Sequence, residues 1–139
     1  MPLRVLIVDT DIRFVEQARR HLEACGHHVA HVDVSRVTQR AEQWRADLVI
    51  ASAELPLVHQ GELLSALHDV DQRPAVLLTA SMDRFDLAWQ AWHKGGDELL
   101  LKPMLNAAEL HCAIATARQN ALCPQRSVVT TPEQVRLSA

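Results

Sequence analysis

Residues 47–56 read DLVIASAELP, an apolar run that begins after one acidic residue and ends at a leucine–proline pair. A strand that is apolar at successive positions, and not only at alternate ones, is buried on both faces, as in a parallel sheet covered by helices. Residues 3–8 (LRVLIV) and 75–80 (AVLLTA) have the same character. The three runs therefore predict the central strands of a parallel sheet.

Segments with helical spacing of apolar residues separate these strands. Together with two less apolar strand candidates they make five rounds of strand and then helix, which predicts an α/β fold with a doubly wound parallel sheet and right-handed crossovers. The weaker strands are residues 28–32 and 98–101, and the helices are residues 11–25, 35–44, 60–70, 83–94 and 106–122.

Length and composition fit one globular domain. The chain has 139 residues, 48% of them apolar and 22% charged, with a net charge of −3. These values exclude a disordered chain, and the charge argues against direct nucleic-acid binding. No apolar run approaches the length of a membrane span, and the three cysteines contain no CxxC pair, so we expect a cytoplasmic protein. Residues 1–122 form the predicted domain, and residues 123–139, with prolines and a Ser/Thr cluster, are predicted to be a tail or the start of a linker.

Ligands and chemistry gather at the carboxyl ends of the strands in a sheet of this kind. The first strand ends in Asp9-Thr10-Asp11, and the third in Ser52-Ala53-Glu54. The fourth ends at Thr79-Ala80 and the fifth at Lys102-Pro103. We expect any functional site to combine these residues.

The pattern resembles the receiver domain of bacterial response regulators, the CheY-like superfamily. The matching pieces are LRVLIVDTD, DLVIASAELP, Gly61, PAVLLTA and KGGDELLLKP, in order and at suitable spacing across residues 3–122. The resemblance implies a flavodoxin-like (βα)5 fold with strand order 2-1-3-4-5. It also implies a role in two-component, or phosphorelay, signal transduction, and a cis bond before Pro103.

Receiver chemistry, as the resemblance implies it, needs an aspartate at the end of the third strand to accept a phosphoryl group. It also needs two acidic residues after the first strand that help to hold Mg²⁺. Asp9 matches the first acid, but Thr10 stands at the second acidic position and Ser52 at the phosphoacceptor. Thr79 matches the hydroxyl that binds the phosphoryl group, and Lys102 the lysine that pairs with it. These five residues predict a degenerate phosphorylation pocket.

The charged residues of this pocket allow two interpretations. In the favoured one Asp9 forms an ion pair with Lys102, Asp11 caps the first helix, Glu54 is a solvated loop residue, and no cofactor is bound. In the other, Asp9, Asp11 and Glu54 form a weak Mg²⁺ site.

The loss of the phosphoacceptor favours a pseudo-receiver, a protein-interaction module without enzymatic activity that is regulated independently of phosphorylation. Two alternatives stay open: a receiver phosphorylated on a displaced carboxylate, Glu54 or Asp11, with Mg²⁺, or a small flavodoxin-like binding protein or enzyme. We expect protein partners, a histidine kinase or an output domain, and no membrane. Trp89, Trp92 and Leu99, which takes the place of an aromatic residue, are the predicted interface residues. A homodimer would form through the fourth predicted helix, the fifth strand and the fifth helix.

Overall fold

The sheet has the predicted architecture. A computed structural model describes residues 2–122, so the predicted tail lies outside the described residues. Five parallel strands pair in the order β2-β1-β3-β4-β5, which confirms both the fold class and the strand order. The strands are β1 (Arg4–Val8), β2 (His28–His31), β3 (Leu48–Ser52), β4 (Ala75–Ser81) and β5 (Glu98–Lys102).

Helices cover both faces of this sheet. They are α1 (Ile12–Ala24), α2 (Val37–Trp44), α3 (Pro56–His59), α4 (Glu62–His68), α5 (Phe85–His93) and α6 (Ala107–Ala121). Short 3₁₀ turns, Val34–Arg36 and Met82–Arg84, lead into α2 and α5.

The central strands carry two separate apolar cores, one on each face. All five residues of β3 are buried. Because side chains alternate between faces along a strand, Val49 and Leu78 belong to the core under α2, α4 and α5, whereas Ile50 and Leu77 belong to the core under α1 and α6. The continuous apolar run of each central strand thus serves two layers of helices.

The segment after β3 differs from the prediction of one helix over residues 60–70. Pro56 starts a separate four-residue helix, since proline is well suited to the first helical position. Gly61, with φ +90°, then turns the chain into α4. The structure therefore has six helices within residues 2–122, and the fourth and fifth predicted helices are α5 and α6.

The other element ends agree with the prediction to within one or two residues, apart from the 3₁₀ turns. The Lys102–Pro103 peptide bond is cis, as the resemblance implies. Across residues 2–122, no helix combines the length and the apolar character that a membrane crossing demands.

Candidate functional site

The carboxyl ends of β1, β3, β4 and β5 border one open cavity of about 580 Å³. Its walls include four of the five residues of the predicted pocket, together with side chains from α1 and from the loop after β5. The lining residues are Asp9, Thr10, Asp11, Arg13, Phe14, Gln17, Ser52, Glu54, Ser81, Lys102, Pro103 and Met104. Thr79, the fifth pocket residue, is fully buried at the end of β4.

The centre of the site is an ion pair between Asp9 and Lys102. Nζ of Lys102 donates to Oδ2 of Asp9 at 3.0 Å and also lies 3.4 Å from Oδ2 of Asp11. Both Asp9 and Lys102 are buried, so their charges are compensated within the protein. The ion pair that the sequence favours is present, with Asp11 as a second carboxylate beside the ammonium group.

Asp11 is also the N-cap of α1, as predicted from the sequence. Its Oδ1 accepts a hydrogen bond from the backbone N–H of Phe14 at 3.2 Å, and its own N–H donates to Oδ1 of Asp9. Partial burial acts to raise the pKa of Asp11, but the hydrogen bond from Phe14 and the charge of Lys102 outweigh burial, and the pKa lies below its ordinary value. Asp11 is therefore an ionised capping residue near neutral pH.

The two buried hydroxyl groups of the site lie side by side in the sheet. Ser52 pairs with Thr79 in the β3–β4 register, and both are buried. Oγ1 of Thr79 donates to Oδ2 of Asp9 at 3.3 Å, and Oγ of Ser52 accepts from the backbone N–H of Glu54 at 3.3 Å. Thr79 is thus the hydrogen-bonded strand-end hydroxyl that the sequence favoured.

Glu54 is not the solvated loop residue that we expected. Its Oε2 accepts two hydrogen bonds from Ser81, one from the backbone N–H at 2.9 Å and one from the hydroxyl at 3.0 Å. Glu54 is partly buried, and it ties the loop after β3 to the end of β4. No sequence pattern indicates this contact, because Ser81 follows the residues of β4 that match the family.

The donor set does not fit Mg²⁺, the metal that receiver domains use. Among residues 2–122 no group of three or more His, Cys, Asp or Glu side chains is placed to hold a metal ion. Asp9 and Asp11 contact Lys102, and Glu54 is hydrogen bonded to Ser81, so the three carboxylates considered from the sequence do not share one centre. Thr10, at the second acidic position, is neutral and exposed. Mg²⁺ prefers carboxylate ligands, and the carboxylates of this site are engaged with Lys102 or Ser81 instead.

Sequence reasoning missed two residues next to the pair. Nε2 of His31 lies 2.9 Å from the backbone oxygen of Asp9, so this nitrogen carries the hydrogen and donates it. Lys102 Nζ lies 5.2 Å from the ring centre of Phe14, within the range of a cation–π contact. The register Ile7↔His31 places His31 near Asp9, and the sequence predicts the order of the strands but not this register.

The predicted interface residues differ in exposure. Trp89 is 50% exposed, whereas Trp92 and Leu99 are partly buried and pack against the core under α5. Phe85, 46% exposed, stacks on Trp89 at 6.1 Å, and the ring of His93 meets Trp89 edge-on at 4.6 Å. The aromatic residues of α5 are therefore divided between a buried side, which carries Trp92, and an exposed aromatic row, Phe85–Trp89–His93.

Comparison with curated proteins finds one relative over most of the chain. The transcriptional regulatory protein PrrA of Mycobacterium leprae is 26% identical over 129 residues, which is 92% of this chain and 53% of PrrA. The chain thus spans about half the length of this relative. No protein-family model matches the sequence.

Solved structures with the same fold include a chemotaxis response regulator and the receiver domain of a sensor histidine kinase. The chemotaxis response regulator CheY4 of Vibrio cholerae matches with a TM-score of 0.71 and 20% identity, over 84% of this chain and 99% of CheY4. The receiver domain of the sensor histidine kinase PA1611 of Pseudomonas aeruginosa, solved with a magnesium ion in its active-site cleft, matches with a TM-score of 0.72 and 17% identity, over 86% and 99%. At these identities the structures establish the fold alone. Strand order, fold and the PrrA similarity together make this chain a receiver-fold domain similar to those of two-component response regulators.

Proposed function

We propose that this domain is a pseudo-receiver, a non-enzymatic module of two-component signalling that regulates partner proteins without accepting a phosphoryl group. The observation that carries the proposal is Ser52, a buried hydroxyl at the end of β3 where a receiver presents a carboxylate. A carboxylate can attack phosphohistidine directly and form a reactive acyl phosphate. A serine hydroxyl needs a general base for the same attack and would form a stable ester.

The surroundings of Ser52 support this proposal. Its Oγ accepts a hydrogen bond from the backbone N–H of Glu54, a group that cannot act as a general base. The nearest buried cation, Lys102, is already paired with Asp9 and Asp11. The ion pair compensates the buried charge of Asp9 without a metal ion or a phosphoryl group.

The magnesium-bound receiver of PA1611 gives a useful contrast. In this chain, Thr10 and Ser52 place two neutral hydroxyl groups where a receiver has an acid and the phosphoacceptor. Phosphoryl transfer depends on a divalent cation that neutralises the transferring oxygens. The loss of both carboxylates weakens metal binding and removes the nucleophile in the same pocket.

Partner recognition would use the exposed aromatic row of α5 with the neighbouring β5 and α6. Trp and Phe side chains at half exposure are frequent anchors in protein interfaces. The partner would be a histidine kinase, an output domain or a second copy of this chain, in the cytoplasm. The same face could serve each of them, one partner at a time.

Phosphorylation assays test the proposal directly. Purified protein is incubated with acetyl phosphate and Mg²⁺, beside a phosphorylatable receiver as the positive control, and labelled phosphate is followed through acid and alkali. We expect no label on this chain and no saturable change of Trp fluorescence on titration with beryllofluoride and Mg²⁺. Label that is lost in both acid and alkali would overturn the proposal. Loss of such a label in Glu54→Ala or Asp11→Ala would then identify a displaced acceptor.

A further inference from the structure

The Glu54 side chain fastens the loop after β3 to the end of β4. Glu54 accepts two hydrogen bonds from Ser81. The loop is also held by the N–H of Ala53, which donates to the carbonyl oxygen of Thr79 at 2.7 Å. The N–H of Glu54 in turn donates to Oγ of Ser52. The last residue of β3 and the two residues that follow it are therefore hydrogen bonded to one another and to the end of β4.

Ser81 occupies the point at which β4 turns into α5. It is the last residue of β4 and the N-cap of the 3₁₀ turn Met82–Arg84, which runs directly into α5. Ser81 makes no side-chain capping bond to this turn, and its hydroxyl goes to Glu54 instead. Glu54 thus fixes the residue from which the turn and α5 start.

The positive charge of Arg84, in the turn that leads into α5, interacts with the carboxylate of Glu54. The guanidinium of Arg84 in the same turn pairs with Asp86, and the hydrogen bond and charge of Asp86 raise the pKa of Arg84, with a smaller contribution from the charge of Glu54. Glu54 therefore presents a carboxylate oxygen to the start of α5. A phosphoryl group on β3 would present such an oxygen only when transferred.

We propose that Glu54, acting through Ser81, is a positioning residue that holds the start of α5, and with it the exposed Phe85–Trp89 row, in one arrangement without a phosphoryl group. This inference rests on the proposed pseudo-receiver function, because it supplies the fixed docking surface that such a module needs. The carboxylate of Glu54 is part of the chain, whereas a phosphoryl group is present only after transfer.

Hydrogen exchange and NMR on the full chain, in buffer free of phosphate and Mg²⁺, test the proposal. The variant Glu54→Ala removes the acceptor, and Glu16→Ala, an exposed residue of α1, is the matched control. In Glu54→Ala we expect amide exchange over residues 81–93 to become about tenfold faster, the factor for losing a hydrogen bond to a charged group. The indole resonances of Trp89 and Trp92 shift, whereas that of Trp44 on α2 stays in place. Exchange and indole positions equal to those of the control would overturn the proposal.

A second variant acts from the other side of the contact. Ser81→Pro removes both donors, the N–H and the hydroxyl, and the backbone φ of −71° at Ser81 already suits proline. Exchange over residues 82–93 should quicken as in Glu54→Ala, and the double variant should add little to either single change, because both remove the same contact. Fully additive effects would contradict the proposal.

This experiment can fail separately from the proposed function. Faster exchange in Glu54→Ala supports the positioning role whether or not the wild-type chain takes up label from acetyl phosphate. Unchanged exchange overturns the positioning role even where no label is taken up. The two readouts share no reagent, and the labelling test that decides the proposed function is made on the wild-type chain.

Discussion

The ammonium nitrogen of Lys102 lies 3.0 Å from Oδ2 of Asp9, although the strands that end at these residues are not neighbours. Two strands, β3 and β4, separate β1 from β5, so the ion pair spans the ends of both. Ser52 and Thr79 lie at these two intervening strand ends. The ion pair therefore lies beside two neutral hydroxyl groups. In a receiver, the charged groups at the same strand ends face a phosphoryl group instead.

Breaking this pair from one side should destabilise the fold. Lys102→Met leaves the buried carboxylate of Asp9 with the hydroxyl of Thr79 as its side-chain donor, and the free energy of unfolding should fall by about 3 kcal/mol. Urea denaturation followed by Trp fluorescence measures the loss.

The double variant Asp9→Asn with Lys102→Met is the control for that measurement. It removes both charges, so it should be clearly more stable than Lys102→Met alone. A double variant as unstable as the single one would show that lost packing, and not an unpaired charge, causes the effect.

Asp11 gives a pH-dependent prediction. Asp11→Ala removes the N-cap of α1 and should cost about 1 kcal/mol at pH 7. Because the pKa of Asp11 is lowered in the folded state, its contribution is fully present above the ordinary pKa near 3.9 and is lost as the pH falls through the lowered folded value.

Denaturation of both proteins between pH 7 and the acid limit of folding checks this prediction. The stability difference between wild type and Asp11→Ala should stay constant down to about pH 4 and shrink below it. A difference that grows as the pH falls would contradict the assigned direction of the shift.

The sheet could be predicted from the sequence because burial on both faces leaves a direct mark. A strand such as β3 must be apolar on both faces, and β3 is apolar at each position before Ser52. The Asp9–Lys102 pair was also predictable, since parallel strands bring their carboxyl ends together. Because Ser52 is neutral, Asp9 and Lys102 are left to pair with each other.

The Glu54–Ser81 contact and the division of the α5 face could not be predicted in this way. Glu54 reaches Ser81 through the path of a loop, and no periodicity encodes that path. On α5, Ala88 and Ala91 are buried while Trp89 is exposed, an arrangement that side-chain size does not predict. Two small residues let the helix lie close to the sheet, which leaves the larger ring outside.

Truncation of the two tryptophans of α5 should affect two different properties, stability for Trp92 and association for Trp89. Trp92→Ala removes a ring packed on the core and should cost at least about 1 kcal/mol more unfolding free energy than Trp89→Ala. Trp89→Ala should instead weaken association with a second copy or a partner, which sedimentation velocity detects. Equal losses of stability, with association unchanged in both variants, would show that Trp89 has no role in docking.

Gly96 should be intolerant of any side chain. A Cβ at this position would lie 2.1 Å from Cδ1 of Leu78, a fully buried core residue, so Gly96→Ala forces the core to shift. We expect it to cost about 3 kcal/mol, at the upper end for overpacking. Gly26→Ala is the control, because its Cβ would meet no atom within 4 Å and only the φ of +87° opposes it. Unfolding midpoints in urea should therefore fall much further for Gly96→Ala than for Gly26→Ala, and equal midpoints would refute the close contact.

Restoring the two missing carboxylates should restore metal binding. In the variant Thr10→Asp with Ser52→Asp, four carboxylates surround one ammonium group, so the protein should be less stable than wild type without metal and should gain stability on addition of Mg²⁺. At a hundredfold excess of Mg²⁺ over its dissociation constant the gain is about 2.7 kcal/mol, visible as a rise of the melting temperature. The wild-type melting temperature should not respond, and acetyl phosphate with Mg²⁺ should label only the variant. An equal Mg²⁺ response of the wild-type chain would mean that its pocket already holds the metal, which would contradict the misfit between the wild-type donor set and Mg²⁺.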